Sequence, residues 1–319
     1  MNAGRFSPDT ARLDDAARAG WLYYVAGNTQ DEIARKLGVS RQSAQRLVAM
    51  AVSEKLIKVR VDHPIARCMD LAGALVDRFG LMSAEVVPSD PDAPGLLTGV
   101  AIAAATELER VLKSPERRIV SLGTGRALKA TVEQLPRMSC PQHVVVSRLG
   151  NMMQDGSASP YNATISLAER IGAPHYPYPL PVLARDPAEL AAMRNQDAVR
   201  NTIRLCERAD LSLVGIGQMD ATAPLFVDGF VSRAEMEELA RLGAVGEITS
   251  WVYDRAGQVI DCAFNARVAS APLPHACRRP VIAVATGDAK VPAIRAALVG
   301  GLVNGLVTSE ATAERLLEG

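Results

Sequence analysis

The chain has no excess of either charge: 35 lysines and arginines stand against 35 aspartates and glutamates, a formal net charge of zero over 319 residues. Contact with a polyanion must therefore come from a local patch and not from the field of the whole molecule. Aromatic residues are scarce at 4%, so a core must be built from Ala, Val, Leu and Ile, which suits α/β packing. No apolar run approaches the roughly 18 residues that a membrane-spanning helix needs. The opening stretch MNAGRFSPDTARLDD has no apolar signal core. Together these predict a cytoplasmic protein with no membrane partner. The five cysteines, Cys68, Cys140, Cys206, Cys262 and Cys277, form no CxxC pair, which argues against a disulfide framework or a zinc site and fits a reducing compartment. The histidines at 63, 143, 175 and 275 are equally scattered. No metal site, cofactor or catalytic group is expected.

What is present begins at Thr29–Val48, TQDEIARKLGVSRQSAQRLV. Ile33 and Leu37 lie one helical turn apart, Ala34 is small enough for a second helix to cross closely, and Gly38-Val39 breaks the helix. Ser40 is a good N-cap for the next helix, whose inner face is Ala44, Leu47 and Val48. Arg41, Gln42, Ser43, Gln45 and Arg46 then point outward without a carboxylate among them. The pattern predicts a helix-turn-helix whose outer face reaches phosphates and base edges. The DNA-facing set is Thr29, Gln30, Ser40, Arg41, Gln42, Ser43, Gln45 and Arg46, joined by Lys58 and Arg60 on one face of a short strand or wing, LIKVRV, at 56–61. An amphipathic helix at 14–26 braces the hairpin. Residues 40–60 hold five basic side chains and one acid, Glu54, so positive charge gathers where the motif lies.

After His63-Pro64 an amphipathic helix at 65–80 reads as a linker or dimer contact, and SDPDAP at 89–94 as a polar break. Beyond it helix and strand signals alternate. Strands are expected at 118–122, 143–146, 211–214, 281–285 and 306–307. A hairpin is expected from 248–253 and 259–262 around Asp254–Gly257. The expected fold is α/β, an N-terminal helix-turn-helix domain (1–63), a linker helix and connector (64–94) and a Rossmann-like doubly wound domain (95–319). In such sheets ligands sit beyond the carboxyl ends of the strands. Three glycine-bearing loops fall there: Gly123–Arg126, Gly215–Asp220 and Gly287–Lys290. In the first, a strand leads through Gly-Thr-Gly into a helix. That arrangement offers free N–H groups and the positive end of a helix dipole to an anion. Thr124 adds a hydroxyl, and Arg126 or Lys290 a positive charge.

Five blocks in this order resemble the SorC/DeoR-type family of bacterial sugar-binding transcriptional regulators. They are residues 29–48, SLGTGRAL at 121–128, ADLSLVGIG at 209–217, GAVGEI at 243–248, and GDAKVPAIRAALVGGLVNGLVTSEATAERLL at 287–317. The resemblance implies an effector domain related to sugar-phosphate isomerases and deaminases. It also implies a homo-oligomer, dimer or tetramer, whose operator binding responds to a small effector. Gly123, Thr124 and Gly125 would cradle a phosphate with Lys290, while Gln218, Asp220 and Glu247 approach the sugar portion. Ala127 stands where a second threonine is common, and Glu247 and Ser309 stand where aspartate is common, so an unphosphorylated sugar or polyol remains an alternative effector. The alternative function is an isomerase- or deaminase-like enzyme fused to a DNA-binding unit. Against it, the loop after the Gly-Ile-Gly strand carries a single carboxylate, Asp220.

Overall fold

The structure, a computed structural model, describes residues 8–54, 56–57, 65–90, 92, 96–150, 152–153, 156–159, 161–273 and 278–318. The chain divides into two compact units, Met1–His63 and Pro64–Gly319.

In the first unit α1 (Pro8–Tyr24) packs on α2 (Gln30–Leu37) and α3 (Arg41–Ser53). Its core is small: Ala19, Ile33, Ala34, Ala44 and Val48 are buried, with Leu22, Leu37, Val39 and Leu47 packed against them. The alanines let the helices approach closely. Thr29 closes a capping box with Glu32 at the start of α2, and Gly38 ends it in the left-handed conformation at φ 66°. Ser40 caps α3, accepting the Ser43 N–H at 3.1 Å. Of the wing, only Leu56 and Ile57 are described; Lys58 and Arg60 lie outside the described residues.

The second unit runs α4 (Ala66–Phe79), β1 (Ser83–Val87), α5 (Leu97–Leu112), β2 (Ile119–Leu122), α6 (Arg126–Gln134), β3 (Val144–Ser147), α7 (Ala163–Ile171) and β4 (His175–Tyr176). It continues with α8 (Pro187–Arg194), α9 (Asp197–Glu207), β5 (Leu211–Val214), β6 (Gly217–Gln218), α10 (Pro224–Val227), α11 (Arg233–Arg241), β7 (Ala244–Ile248) and β8 (Trp251–Asp254). It closes with β9 (Val281–Val284), α12 (Val291–Val299), β10 (Gly305–Ser309) and α13 (Glu310–Glu318). Among the described residues seven strands form a parallel sheet in the order β1-β10-β9-β5-β2-β3-β4. The central strands β3, β5 and β9 are buried along their whole length, because helices cover both faces. On one face α5, α6 and α7 bring Leu108, Leu128 and Leu167 onto Val120, Leu122 and Leu213. On the other, α4, α12 and α13 cover one half of the sheet, and α8 and α9 cover the half around Val146. Apart from this sheet, β6, β7 and β8 make a small antiparallel one.

Two expectations are corrected here. Residues 64–94 are not merely a connector: α4 buries Cys68, Leu71 and Leu75 in the core of the second unit, and β1 is the edge strand of its sheet. The hairpin also lies elsewhere. β7 turns into β8 through Thr249 and Ser250, and Asp254–Gly257 is a later turn that leaves only an isolated bridge between Tyr253 and Val259. The Asp254 carboxylate accepts the N–H groups of Ala256 and Gln258, each at 2.9 Å, which fixes that turn without continuing a ladder.

Candidate effector site

The sequence places its glycine loops at strand ends, and the topology brings those ends together. β9, β5 and β2 are neighbours in the sheet, so the loops following them open on one edge. A cavity of about 470 Å³ lies there. Thr124, Gly125 and Arg126 line it from the loop after β2, Gly215 and Gly217 from the loop after β5, and Thr286 and Lys290 from the loop after β9. Glu247, Thr249 and Ser250 reach in from the β7–β8 hairpin. The outer wall is apolar and includes Leu149, Met153, Val182, Leu225, Val227 and Phe230.

Gly125 and Gly287 make the same local structure twice. Each follows a buried strand and a threonine, each has a positive φ (117° and 112°), and each caps the helical turn that follows. That backbone conformation is open to glycine and strained for other residues. The two ends differ in what satisfies them. The Gly287 N–H donates to the Thr312 hydroxyl at 3.0 Å, inside a buried hydroxyl cluster with Thr286 and Ser309. At α6 no side chain caps the helix. The first N–H groups of that helix therefore face the cavity edge with the positive end of its dipole.

Charge is arranged around this end. Lys290 lies at the cavity wall, and its ammonium meets no hydrogen-bond acceptor among the described residues; Arg126 is exposed beside it. Burial pulls the Lys290 ammonium below the ordinary lysine value, and the nearby Arg126 pulls the same way, against an opposing pull from Glu247. Burial likewise raises the Glu247 carboxyl, although the Ser250 N–H and Lys290 both favour its ionised form. The Ser250 N–H donates to Glu247 Oε2 at 2.8 Å, and the other oxygen packs against Gly217, where no side chain would fit.

The expected site residues are partly gathered here. Thr124, Gly125, Arg126, Glu247 and Lys290 line the cavity; Gly123, Gln218 and Asp220 do not. Gly123 is buried under Thr249. Gln218 donates its amide to Thr222 at 3.1 Å. Asp220 accepts both the N–H and the hydroxyl of Thr222, at 2.7 and 2.6 Å, and so shapes the loop that carries Thr222, a lining residue. Thr124 contributes less than its position promised, since its hydroxyl donates to the Tyr161 carbonyl at 2.8 Å. The lining residues Tyr161, Thr222, Thr249 and Ser250 carried no recognisable sequence signal. In the first unit, Arg41, Gln42, Gln45 and Arg46 are exposed along α3, while Thr29 and Ser40 spend their hydroxyls on capping.

The depressed Lys290 sets a pH response. An anion in the cavity holds the ammonium protonated, whereas the empty site releases its proton at a lower pH than an ordinary lysine does. Affinity for inorganic phosphate should therefore be higher below that point than above it. It should decline as pH rises through it, before the ordinary lysine value of 10.5 is reached. Calorimetric titrations in buffers of different ionisation enthalpy should show proton uptake on binding at the alkaline end. Constant affinity to pH 10.5 with no proton uptake would contradict this placement of Lys290.

A parallel α/β domain with an anion-suited cavity at its strand ends, accompanied by another compact unit that carries α1, α2 and α3, defines a ligand-binding regulator class, and known proteins agree. Residues 63–318 match the family described as "Putative sugar-binding domain". The chain is 35% identical over 309 residues to the erythritol catabolism regulatory protein EryD of Brucella abortus, covering 96% of this chain and 98% of that one. It is 31% identical to the transcriptional regulator LsrR of Klebsiella pneumoniae, covering 94% and 92%. The crystal structure of the full-length sorbitol operon regulator SorC from Klebsiella pneumoniae superposes with a TM-score of 0.70 at 26% identity, over 96% of this chain and 99% of that one. The chain belongs to the SorC/DeoR-type family of sugar-binding transcriptional regulators.

Proposed function

We propose that this protein is a DNA-binding transcriptional regulator of carbohydrate metabolism whose effector is a small polyhydroxylated molecule carrying a phosphate. The observation that carries the effector class is the cavity's division of labour. The uncapped start of α6, Lys290 and Arg126 supply donors and positive charge for an anion, while Glu247 supplies an acceptor for hydroxyl groups. Relatives named for erythritol catabolism and for the sorbitol operon support a polyol or sugar body. α2 and α3 act as the helix-turn-helix, with α3 in the major groove and Arg41, Gln42 and Arg46 at bases and phosphates. The protein works as a homodimer or tetramer on inverted half-sites, because twofold symmetry in the protein is mirrored in the operator. Effector binding shifts the assembly between forms of different operator affinity.

We assign the cavity to binding and not to turnover. Aldose–ketose exchange needs a positioned base and acid, whereas the relatives are named as regulators and support a binding role. The test is fluorescence anisotropy of the full chain on DNA flanking its own gene, with erythritol phosphate, ribitol phosphate and their unphosphorylated polyols added in turn. Saturable binding and a change in affinity with a phosphorylated polyol are expected. Absence of DNA binding at low salt, or conversion of a sugar phosphate to product, would overturn the proposal.

A further inference from the structure

The β7–β8 hairpin turns on two residues that ordinarily avoid its geometry. Thr249 and Ser250 both have positive φ, at 49° and 73°, and they are the only non-glycine residues with positive φ among the described ones. Two-residue hairpin turns of this hand favour Asn and Gly, and a β-branched residue in the left-handed region is an outlier. A turn with no functional demand would be relieved by glycine at this position. Three contacts hold the strained form: Ser250 N–H donates to Glu247 Oε2 at 2.8 Å, the β7–β8 ladder pairs Ile248 with Trp251, and the Thr249 methyl packs over Gly123.

The strain has a visible product. Thr249 is 7% exposed, lines the cavity, and its hydroxyl has no hydrogen-bond partner among the described residues. A buried hydroxyl left unpaired is costly. Thr249 and Glu247 lie two residues apart in the hairpin and both line the cavity, and the Thr249 methyl packs over Gly123 in the loop that leads to the α6 end. Glu247, when ionised, only accepts hydrogen bonds, whereas a threonine hydroxyl both donates and accepts. A group that satisfies both must donate to Glu247 and can either donate to or accept from Thr249, which a carbinol hydroxyl does and a carbonyl or a fully ionised phosphate does not.

We propose that the Thr249–Ser250 turn is the specificity element of the pocket: Thr249 and Glu247 together read one free hydroxyl of the effector. This rests on the assignment of the cavity to a phosphorylated polyol. Strain in the turn is retained because it presents the Thr249 hydroxyl to the ligand.

The test is titration of the full chain with erythritol phosphate and, separately, with inorganic phosphate, alongside melting curves of the unliganded proteins. Thr249→Val keeps the shape and removes the hydroxyl. It should weaken erythritol phosphate about tenfold, the worth of one lost hydrogen bond, and leave inorganic phosphate unchanged. Thr249→Ser should bind within about threefold of the wild type, since it keeps the hydroxyl. Valine suits the left-handed region as poorly as threonine does, so Thr249→Gly is the second variant. It should raise the unliganded Tm by roughly 2–4 °C as strain is released and weaken erythritol phosphate as the valine variant does. Wild-type affinity of Thr249→Val for erythritol phosphate would overturn the role of the turn and leave the cavity assignment standing. Equal losses for both probes would also overturn it, by placing Thr249 at the anion. A Tm of Thr249→Gly at or below that of the wild type would overturn the strain argument. A wild type that binds no erythritol phosphate would overturn the cavity assignment itself.

Discussion

Replacing Lys290 by Ala should weaken a phosphorylated effector by about 1.5–3 kcal/mol, the range for a charge-assisted hydrogen bond. That corresponds to roughly a 10- to 150-fold rise in Kd. The expectation follows from an asymmetry in the cavity. Lys290 meets no acceptor among the described residues, and its charge is partly desolvated in advance, so an incoming phosphate gains a contact that breaks none. The nearest carboxylate, Glu247, already accepts from Ser250. An unphosphorylated polyol, which addresses Glu247 and the hydroxyl groups, should lose far less, so this substitution separates the two effector classes. The unliganded variant should melt close to the wild type, because the burial cost of the ammonium offsets its attraction to Glu247. Operator affinity without effector should not change, since Lys290 lies in the second unit. Calorimetry with erythritol phosphate and with erythritol reads both classes. If the variant binds the phosphorylated ligand as the wild type does, the anion lies elsewhere.

The parts of this site that were legible in the sequence are those where local chemistry and fold topology coincide. A buried strand followed by Gly-Thr-Gly and a helix, or by Thr-Gly-Asp and a helix, can be recognised without a structure. The pattern fixes both the backbone turn at Gly125 or Gly287 and its place at a strand end. The α2–α3 hairpin of the first unit was legible for a similar reason, whereas the brace expected at 14–26 is α1, Pro8–Tyr24, which starts earlier. Gly38 and Ser40 mark a stop and a start, and the buried alanines follow the helical period.

What could not be read falls into two kinds. Short edge strands such as β1, SAEVV, carry too little pattern to distinguish a sheet edge from a loop, and only their pairing with β10 defines them. The cavity's outer wall comes from irregular segments around Leu149, Thr222 and Phe230, which have no periodicity and reach the site through loop geometry set by contacts such as Asp220 with Thr222. The hairpin was misplaced for a more specific reason. Asp254–Gly257 has ordinary turn chemistry, while the true turn at Thr249-Ser250 uses residues that argue against one. The failure of the local rule falls at a wall of the ligand cavity, where structures most often retain strain.

The largest effect on DNA binding should come from replacing Arg41, Gln42 and Arg46 together by Ala. All three are exposed on the first turns of α3, the half of the helix that a helix-turn-helix presents to base edges. Among the described residues their only ion pair is the one between Arg41 and Asp31, at 3.5 Å with side chains 70% and 63% exposed, which contributes little to the fold. Alanine is the best helix former, so α3 should persist and the Tm should hold. Each base contact is worth about 1–3 kcal/mol, so loss of the three should weaken operator binding by at least 100-fold. The single variants should divide the effect by mechanism. Gln42→Ala should cost affinity for the operator and little for scrambled DNA, because an amide reads a base edge. Arg46→Ala, if its guanidinium lies on a phosphate, should weaken both and flatten the salt dependence by about one unit of slope. Anisotropy titrations of operator and scrambled duplexes across a range of salt concentrations distinguish these outcomes. A triple variant that still binds its operator at wild-type affinity would remove α3 from the interface and place DNA recognition outside this hairpin.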